Sequence, residues 1–206
     1  MNTTLKSLCE RLTSEFDQIS EERKMILHKL IEYIQLKTIK GEEIKLVYVC
    51  THNSRRSHFG QVWGKVASEF YKIAKVETHS AGTEATAMHP NTVRALQTIG
   101  FVIQSDNQEN NPFYSIEFDT TKEPLVGFSK TIDHPSLPAK NFAAIMTCSE
   151  AEQNCPFVPG AELRVSTTYE DPKVFDGTEE QNEKYIERSL QIARENLYIF
   201  SNIRTS

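Results

Sequence analysis

The sequence predicts an α/β fold: a four-stranded parallel sheet with helices on both faces, an N-terminal helical extension, and a β-hairpin insertion. Three observations predict it. Short apolar, β-branched runs alternate with segments whose apolar residues recur every three to four positions. A tight polar loop joins the first such run directly to a helix. A chain of 206 residues, 38% apolar and 25% charged, suits one ordinary core with a short appendage.

The elements follow in chain order. Leu5, Leu8, Leu12 and Phe16, then Leu27, Leu30, Ile31 and Ile34, keep helical spacing and predict two amphipathic helices in an extension of residues 1–42. Its apolar stripe packs most simply onto the main domain, residues 43–206; dimerisation or a partner are the alternatives. Gly41 among charges ends the extension, and Ile44-Lys45-Leu46-Val47-Tyr48-Val49 is a strand. Phe59, Val62, Val66 and Phe70 mark the helix after it. A second strand runs from Val76 to His79 and turns at Ser80-Ala81-Gly82, and Pro90 and Gly100 bracket the next helix. Residues 105–140 contain two apolar stretches separated by polar Asp119 to Glu123 and read as the hairpin insertion. Residues 141–147 form a third, buried strand and 162–166 a fourth. Ile186, Leu190, Ala193, Leu197 and Phe200 stripe the last helix, where Thr178 and Gln181 have capping-box spacing.

Charge and composition narrow the function. With 23 basic against 28 acidic side chains the net charge is −5, which excludes a broadly basic nucleic-acid surface. No apolar run approaches the roughly 20 residues of a membrane span, and the first residues lack a secretory pattern. A cytoplasmic protein without nucleic-acid or membrane partners is expected. Cys9, Cys50, Cys148 and Cys155 are too few for a disulfide scaffold and point to redox or catalytic chemistry in a reducing compartment. No metal is expected, because Cys148 and Cys155 lack short zinc spacing and the histidines form no helical i, i+4 pair. Cys9, among leucines, reads as a core residue.

The chemistry concentrates in Cys50-Thr51-His52-Asn53-Ser54-Arg55-Arg56-Ser57, between strand and helix. A loop wrapped there points successive backbone N–H groups of residues 51–56 inward as an anion nest, reinforced by the positive end of the helix. The same field favours a thiolate at Cys50, and Arg56 grips two anion oxygens through its planar fork. Ser57 is placed to donate its hydroxyl to that thiolate, and Asn53 to hold the loop through side-chain-to-backbone bonds.

These residues resemble the phosphate-binding loop of the low-molecular-weight protein tyrosine phosphatases and of the thioredoxin-coupled arsenate reductases that share their fold. Ser80-Ala81-Gly82-Thr83-Glu84 resembles the second-strand turn of that family, and Asp171-Pro172 its late Asp-Pro, which carries the general acid. The likeness covers about residues 44 to 200 apart from the insertion. It implies a low-molecular-weight phosphatase-like fold. A positioned acid at Asp171 also makes chemical sense, since a poor oxygen leaving group departs more easily with a proton.

Cys148-Ser149-Glu150-Ala151-Glu152-Gln153-Asn154-Cys155 resembles the redox segment of the reductase branch. The resemblance implies arsenate reduction by a relay in which Cys50 is the nucleophile, Cys148 attacks second and Cys155 resolves. No bound cofactor is implied; electrons come from a dithiol donor such as thioredoxin. The alternative is a tyrosine phosphatase that hydrolyses phosphotyrosine through a cysteinyl-phosphate. A non-enzymatic oxyanion sensor is the third reading. His52 stands where glycine is common and is expected to take a positive φ; Arg55 stands where many members carry another cysteine. Lys173-Val174-Phe175 lacks the adjacent tyrosines of many phosphatases, a role left to Tyr169, and this favours a small inorganic oxyanion.

Overall fold

The structure, a computed structural model, describes residues 1–155 and 157–205. Helices α1 (Thr3–Thr13) and α2 (Glu21–Lys40) form the extension, their first turns capped by Asn2 and Ser20, which accept from the amides of Leu5 and Arg23. Phe16 leaves the first helix for a 3-10 turn, Phe16–Gln18, because the amide and hydroxyl of Ser14 both close back onto the Arg11 carbonyl. Then come β1 (Ile44–Cys50), α3 (Arg56–Phe70), β2 (Val76–Gly82) and α4 (Pro90–Ile99). Three short strands follow, β3 (Val102–Ser105), β4 (Tyr114–Glu117) and β5 (Leu125–Gly127). The chain finishes with β6 (Phe142–Met146), α5 (Ser149–Asn154), β7 (Ala161–Ser166), a 3-10 turn Pro172–Phe175 and α6 (Gln181–Ser201).

The main sheet has the order β2-β1-β6-β7 and is parallel throughout. Parity along β1 sorts its side chains: Ile44, Leu46 and Tyr48 enter a large core with α1–α4 and α6, while Val47 and Val49 enter a thinner one. Helices cover both faces unequally: among the described residues the thinner side has α5 alone, with Ile132, Leu137 and Val158. Against β1, α3 lies close: a Cβ at Gly60 would come within 2.3 Å of the Tyr48 ring, so only glycine fits. Among the described residues no helix is long and apolar enough to cross a membrane.

Three local expectations are corrected. The second strand does not turn at Ser80 but pairs with β1 through Gly82, opposite Cys50. The insertion contains the hairpin β4–β5, yet β3 joins it, giving a three-stranded antiparallel sheet that begins before residue 105. Its exit returns to the main sheet, where the Gly82 amide donates to Lys130 and the Ile132 amide to Gly82. Thr178 and Gln181 form no capping box: the Thr178 hydroxyl donates to the Phe175 carbonyl and the Gln181 side chain accepts from Gly177, so local loop bonds win.

Leu5, Leu12, Leu27, Leu30 and Ile34 of the extension share one core with Phe59, Trp63, Leu197 and Phe200. The extension is thus packed in cis. Leu27→Ala is expected to lower stability by about 2–5 kcal/mol. The fluorescence of Trp63, the sole tryptophan, and helical circular dichroism should lose structure in one coincident urea transition.

Candidate active site

The loop after β1 is held by its carbonyls. The Cys50 carbonyl accepts from the Thr83 amide, that of Thr51 from Glu84, and that of His52 from the Ser129 and Thr86 hydroxyls. The Asn53 carbonyl accepts from His58 Nε2, and that of Ser54 from the His89 amide and the Thr92 hydroxyl. With the carbonyls bonded outward to this shell, the N–H groups of His52, Asn53, Ser54 and Arg55 donate to no acceptor among the described residues. Successive donors without acceptors, in residues mostly buried, make a cradle for an oxyanion.

Asn53 sets the curvature. It adopts φ 44, the left-handed conformation expected of His52, because its side chain fits inward: Nδ2 donates to Ser57 Oγ at 2.8 Å and Oδ1 accepts from the Lys130 amide at 2.8 Å. His52 stays at the rim, half-exposed, with Nε2 3.6 Å from Glu84. Since Asn53 fills the acceptor side of Ser57, the Ser57 hydroxyl proton is free to face Cys50 Sγ, 3.1 Å away. His58 donates from Nε2 to Asn53 while Nδ1 faces Ser80 Oγ, and burial pushes it down to about 3, so it holds the loop as a neutral ring. Gly82 admits no side chain here: a Cβ would lie 2.7 Å from the Asn53 amide nitrogen.

Arg56 opens α3. Its Nη1 donates to the Tyr169 carbonyl at 2.9 Å and Nη2 to Asp171 Oδ2 at 2.5 Å, while Nε is buried without a partner among the described residues. Asp171 caps the 3-10 turn through the Lys173 amide. The structure therefore brings Cys50, Asn53, Arg56, Ser57 and Asp171 together.

Other expected oxyanion ligands are placed differently. The Arg55 guanidinium turns away, donating to Tyr185 Oη at 2.6 Å and to Asp176 at 3.1 Å, where a carboxylate neutralises a cation that burial would otherwise penalise. The Ser54 hydroxyl donates to Ala87 and that of Thr51 to Glu150, so both residues offer the loop their backbone. Tyr169 forms no entrance wall, because its ring is buried and its hydroxyl donates to Glu195 at 2.7 Å.

The thiols divide by sheet face. Cys148 is buried in the thinner core with Cys50, its Sγ 3.3 Å from Thr51 Oγ1 and accepting from the Ala151 amide. Cys155, at the other end of α5, is partly buried against the same cluster. Cys9 lies in the large core, where burial pushes its thiol up to about 12. Sequence reasoning missed Glu150, Asp176, Tyr185 and Glu195. Two adjacent arginines and two aspartates five residues apart, Asp171 and Asp176, were the one signal that pairing could be read from.

Asn53 supports a direct test. Asn53→Ala loses both side-chain bonds and strains the left-handed backbone, whereas Asn53→Gly loses only the bonds. Both should destabilise in urea unfolding, Asn53→Ala by about 1 kcal/mol more than Asn53→Gly.

No protein-family model matches the chain. It is similar to the arsenate reductase of Halalkalibacterium halodurans, with 30% identity over 138 residues that span 66% of this chain and 81% of that protein. Its structure is similar to that of an arsenate reductase in the phosphate-binding state, with TM-score 0.51 and 17% identity over 78% of this chain and 99% of that one. A low-molecular-weight phosphotyrosine phosphatase from Vibrio cholerae superposes with TM-score 0.50 and 13% identity over 77% of this chain and 94% of that one. The structural likenesses fix the fold and the sequence likeness the lineage: the chain belongs to the arsenate reductase family and carries the low-molecular-weight phosphatase fold.

Proposed function

We propose that the protein reduces arsenate to arsenite through a Cys50 thiolate, in a relay completed by Cys148 and Cys155 and reloaded by a dithiol protein such as thioredoxin in the reducing cytoplasm. The observation that carries this reading is the gathering of three thiols in one cluster: Cys50 and Cys148 buried together, Cys155 packed against them. A phosphatase has use for the first alone.

In this reading arsenate occupies the free N–H groups of the loop and takes the place of Asp171 on the Arg56 fork. Cys50 attacks arsenic; an S–As bond forms, an As–O bond breaks, and Asp171 delivers the proton with which that oxygen leaves as water. The Cys148 thiolate then attacks Cys50 Sγ. An S–S bond forms and the S–As pair stays on arsenic, so pentavalent arsenic leaves as trivalent arsenite while two thiolates become one disulfide. Cys155 attacks Cys148, frees Cys50, and leaves a Cys148–Cys155 disulfide for the external dithiol.

The last step has a structural requirement. Cys148 and Cys155 cap opposite ends of α5, roughly 10 Å apart along a helix axis. A disulfide tolerates only about 7 Å between Cα atoms. Oxidation therefore requires α5 to unwind, and hydrogen exchange of the 151–155 amides should quicken in the oxidised protein and slow again on reduction.

Arsenite release, with thioredoxin, its reductase and NADPH, tests the relay. Cys50→Ser and Cys148→Ser should release none, and Cys155→Ser about one equivalent per chain before stopping. Arsenate turnover by Cys148→Ser would sink the relay. Hydrolysis of an aryl phosphate by Cys148→Ser, with no arsenate turnover in the unmodified chain, would make the protein a phosphatase.

A further inference from the structure

We propose that Arg23, in the N-terminal extension, is a positioning residue of the active site: it holds the Thr167–Asp171 segment so that Tyr169 and Asp171 orient the Arg56 guanidinium. The proposal rests on the reading that the Cys50 loop binds a tetrahedral oxyanion.

Arg23 stands in the first turn of α2, fixed there by the Ser20 cap on its amide. Its side chain leaves the helix toward the late loop. Nε and Nη2 donate to one oxygen of Glu195 at 3.0 and 2.8 Å, Nη2 also donates to the Thr167 carbonyl at 3.1 Å, and the guanidinium lies 4.7 Å over the Tyr169 ring. These contacts meet at Tyr169. Its hydroxyl donates to the same Glu195 oxygen, its amide to the Thr147 carbonyl, and its own carbonyl receives Arg56 Nη1. Two residues later Asp171 receives Nη2 of the same guanidinium. One side chain, Tyr169, thus separates the extension from the arginine of the anion cradle.

Arg23 has no substitute in this network. Glu195 is 3% exposed, and among the described residues its carboxylate bonds Arg23 and the neutral Tyr169 phenol alone, which burial holds far above its ordinary titration range. Without Arg23 a buried charge loses its partner, the Tyr169 ring its cation and the Thr167 carbonyl its donor. A cleft of about 650 Å³ lined by Ser20, Arg23, Thr168 and Glu195 opens at this joint, so the segment has room to shift. A displacement of about 1 Å at a fork that must meet oxyanion oxygens costs up to about a hundredfold. The contrast is Glu15: it ties the extension to α6 through Arg194 and makes no hydrogen bond or ion pair to residues 167–171 among the described residues.

Protection of Cys50 by inorganic phosphate is the readout, because fold stability alone does not move it. Iodoacetamide modification of the Cys50 peptide, followed by mass spectrometry in the full-length chain, gives the phosphate concentration for half protection. Arg23→Ala should raise that concentration about tenfold while the phosphate-free rate stays within twofold. Arg23→Lys keeps a charge for Glu195 but loses the fork and the flat stack, and should raise it at least threefold. Glu15→Gln should remain within twofold of the unmodified chain. An unchanged value in folded Arg23→Ala, or an equal rise in Glu15→Gln, overturns the proposal. If Arg23→Ala does not fold, Arg23→Lys decides: a rise below threefold overturns the proposal. Absence of phosphate protection in the unmodified chain overturns the oxyanion reading itself, a result separate from any effect of Arg23.

Discussion

The active site depends on where the carbonyls of residues 50–54 point. Each is taken by a donor outside the loop: Thr83, Glu84, the Ser129 and Thr86 hydroxyls, His58, then His89 and Thr92. A peptide unit places N–H and C=O on opposite sides, so fixing the carbonyls outward leaves the amides converging. This explains why the supporting shell is wide. It recruits the segment after β2, the start of α4, α3 itself and the return of the antiparallel insertion at Ser129 and Lys130. The insertion is a buttress of the cradle, because Asn53 Oδ1 binds the Lys130 amide while Ser129 Oγ binds the His52 carbonyl.

Two adjacent arginines illustrate how position decides chemistry. Arg55 precedes α3 and points toward α6, where Asp176 and Tyr185 hold it; Arg56 begins α3 and reaches Asp171. Both aspartates come from one short stretch of the late loop. Arg55 with Asp176 fastens that stretch to the helix, and Arg56 with Asp171 fastens it to the start of α3. In the proposed reaction an oxyanion takes the place of the Asp171 carboxylate, so the guanidinium keeps a counter-charge throughout. Arg56 Nε, buried without a partner among the described residues, is the donor to which the proposed oxyanion would add a bond instead of trading one.

The sequence revealed what is local and periodic. The strand before Cys50, the helix after it and the Cys-to-Arg spacing lie within one stretch, and the carbonyl-fixing shell needs no unusual residue type to be anticipated as a nest. What it hid depends on distant partners: Arg55 meets residues more than a hundred positions away, and Tyr169 disappears beneath Arg23 and Glu195. The positive φ falls on Asn53 instead of His52 because two side-chain bonds add to asparagine's own preference for the left-handed region, and those bonds reach Ser57 and the distant Lys130. The insertion lost its simple hairpin form because β3 sits before the apolar stretches that signal it, and three of its four residues are exposed.

Strand parity explains where Cys148 lies. Phe142, Ala144, Met146 and Cys148 follow one another at intervals of two and all face the thinner core, where Cys50 arrives as β1 ends. A slip of one residue in β6 would carry Cys148 to the opposite face, among the helices, and no rotamer could return it. Cys9 already lies on that far side, sealed by α1 and its neighbours, and burial keeps its thiol protonated at about 12. The sheet therefore separates one inert thiol from three that share a cluster. Because α5 covers these thiols with a single short helix, the thinner face is also the one whose cover can open at least cost to the core.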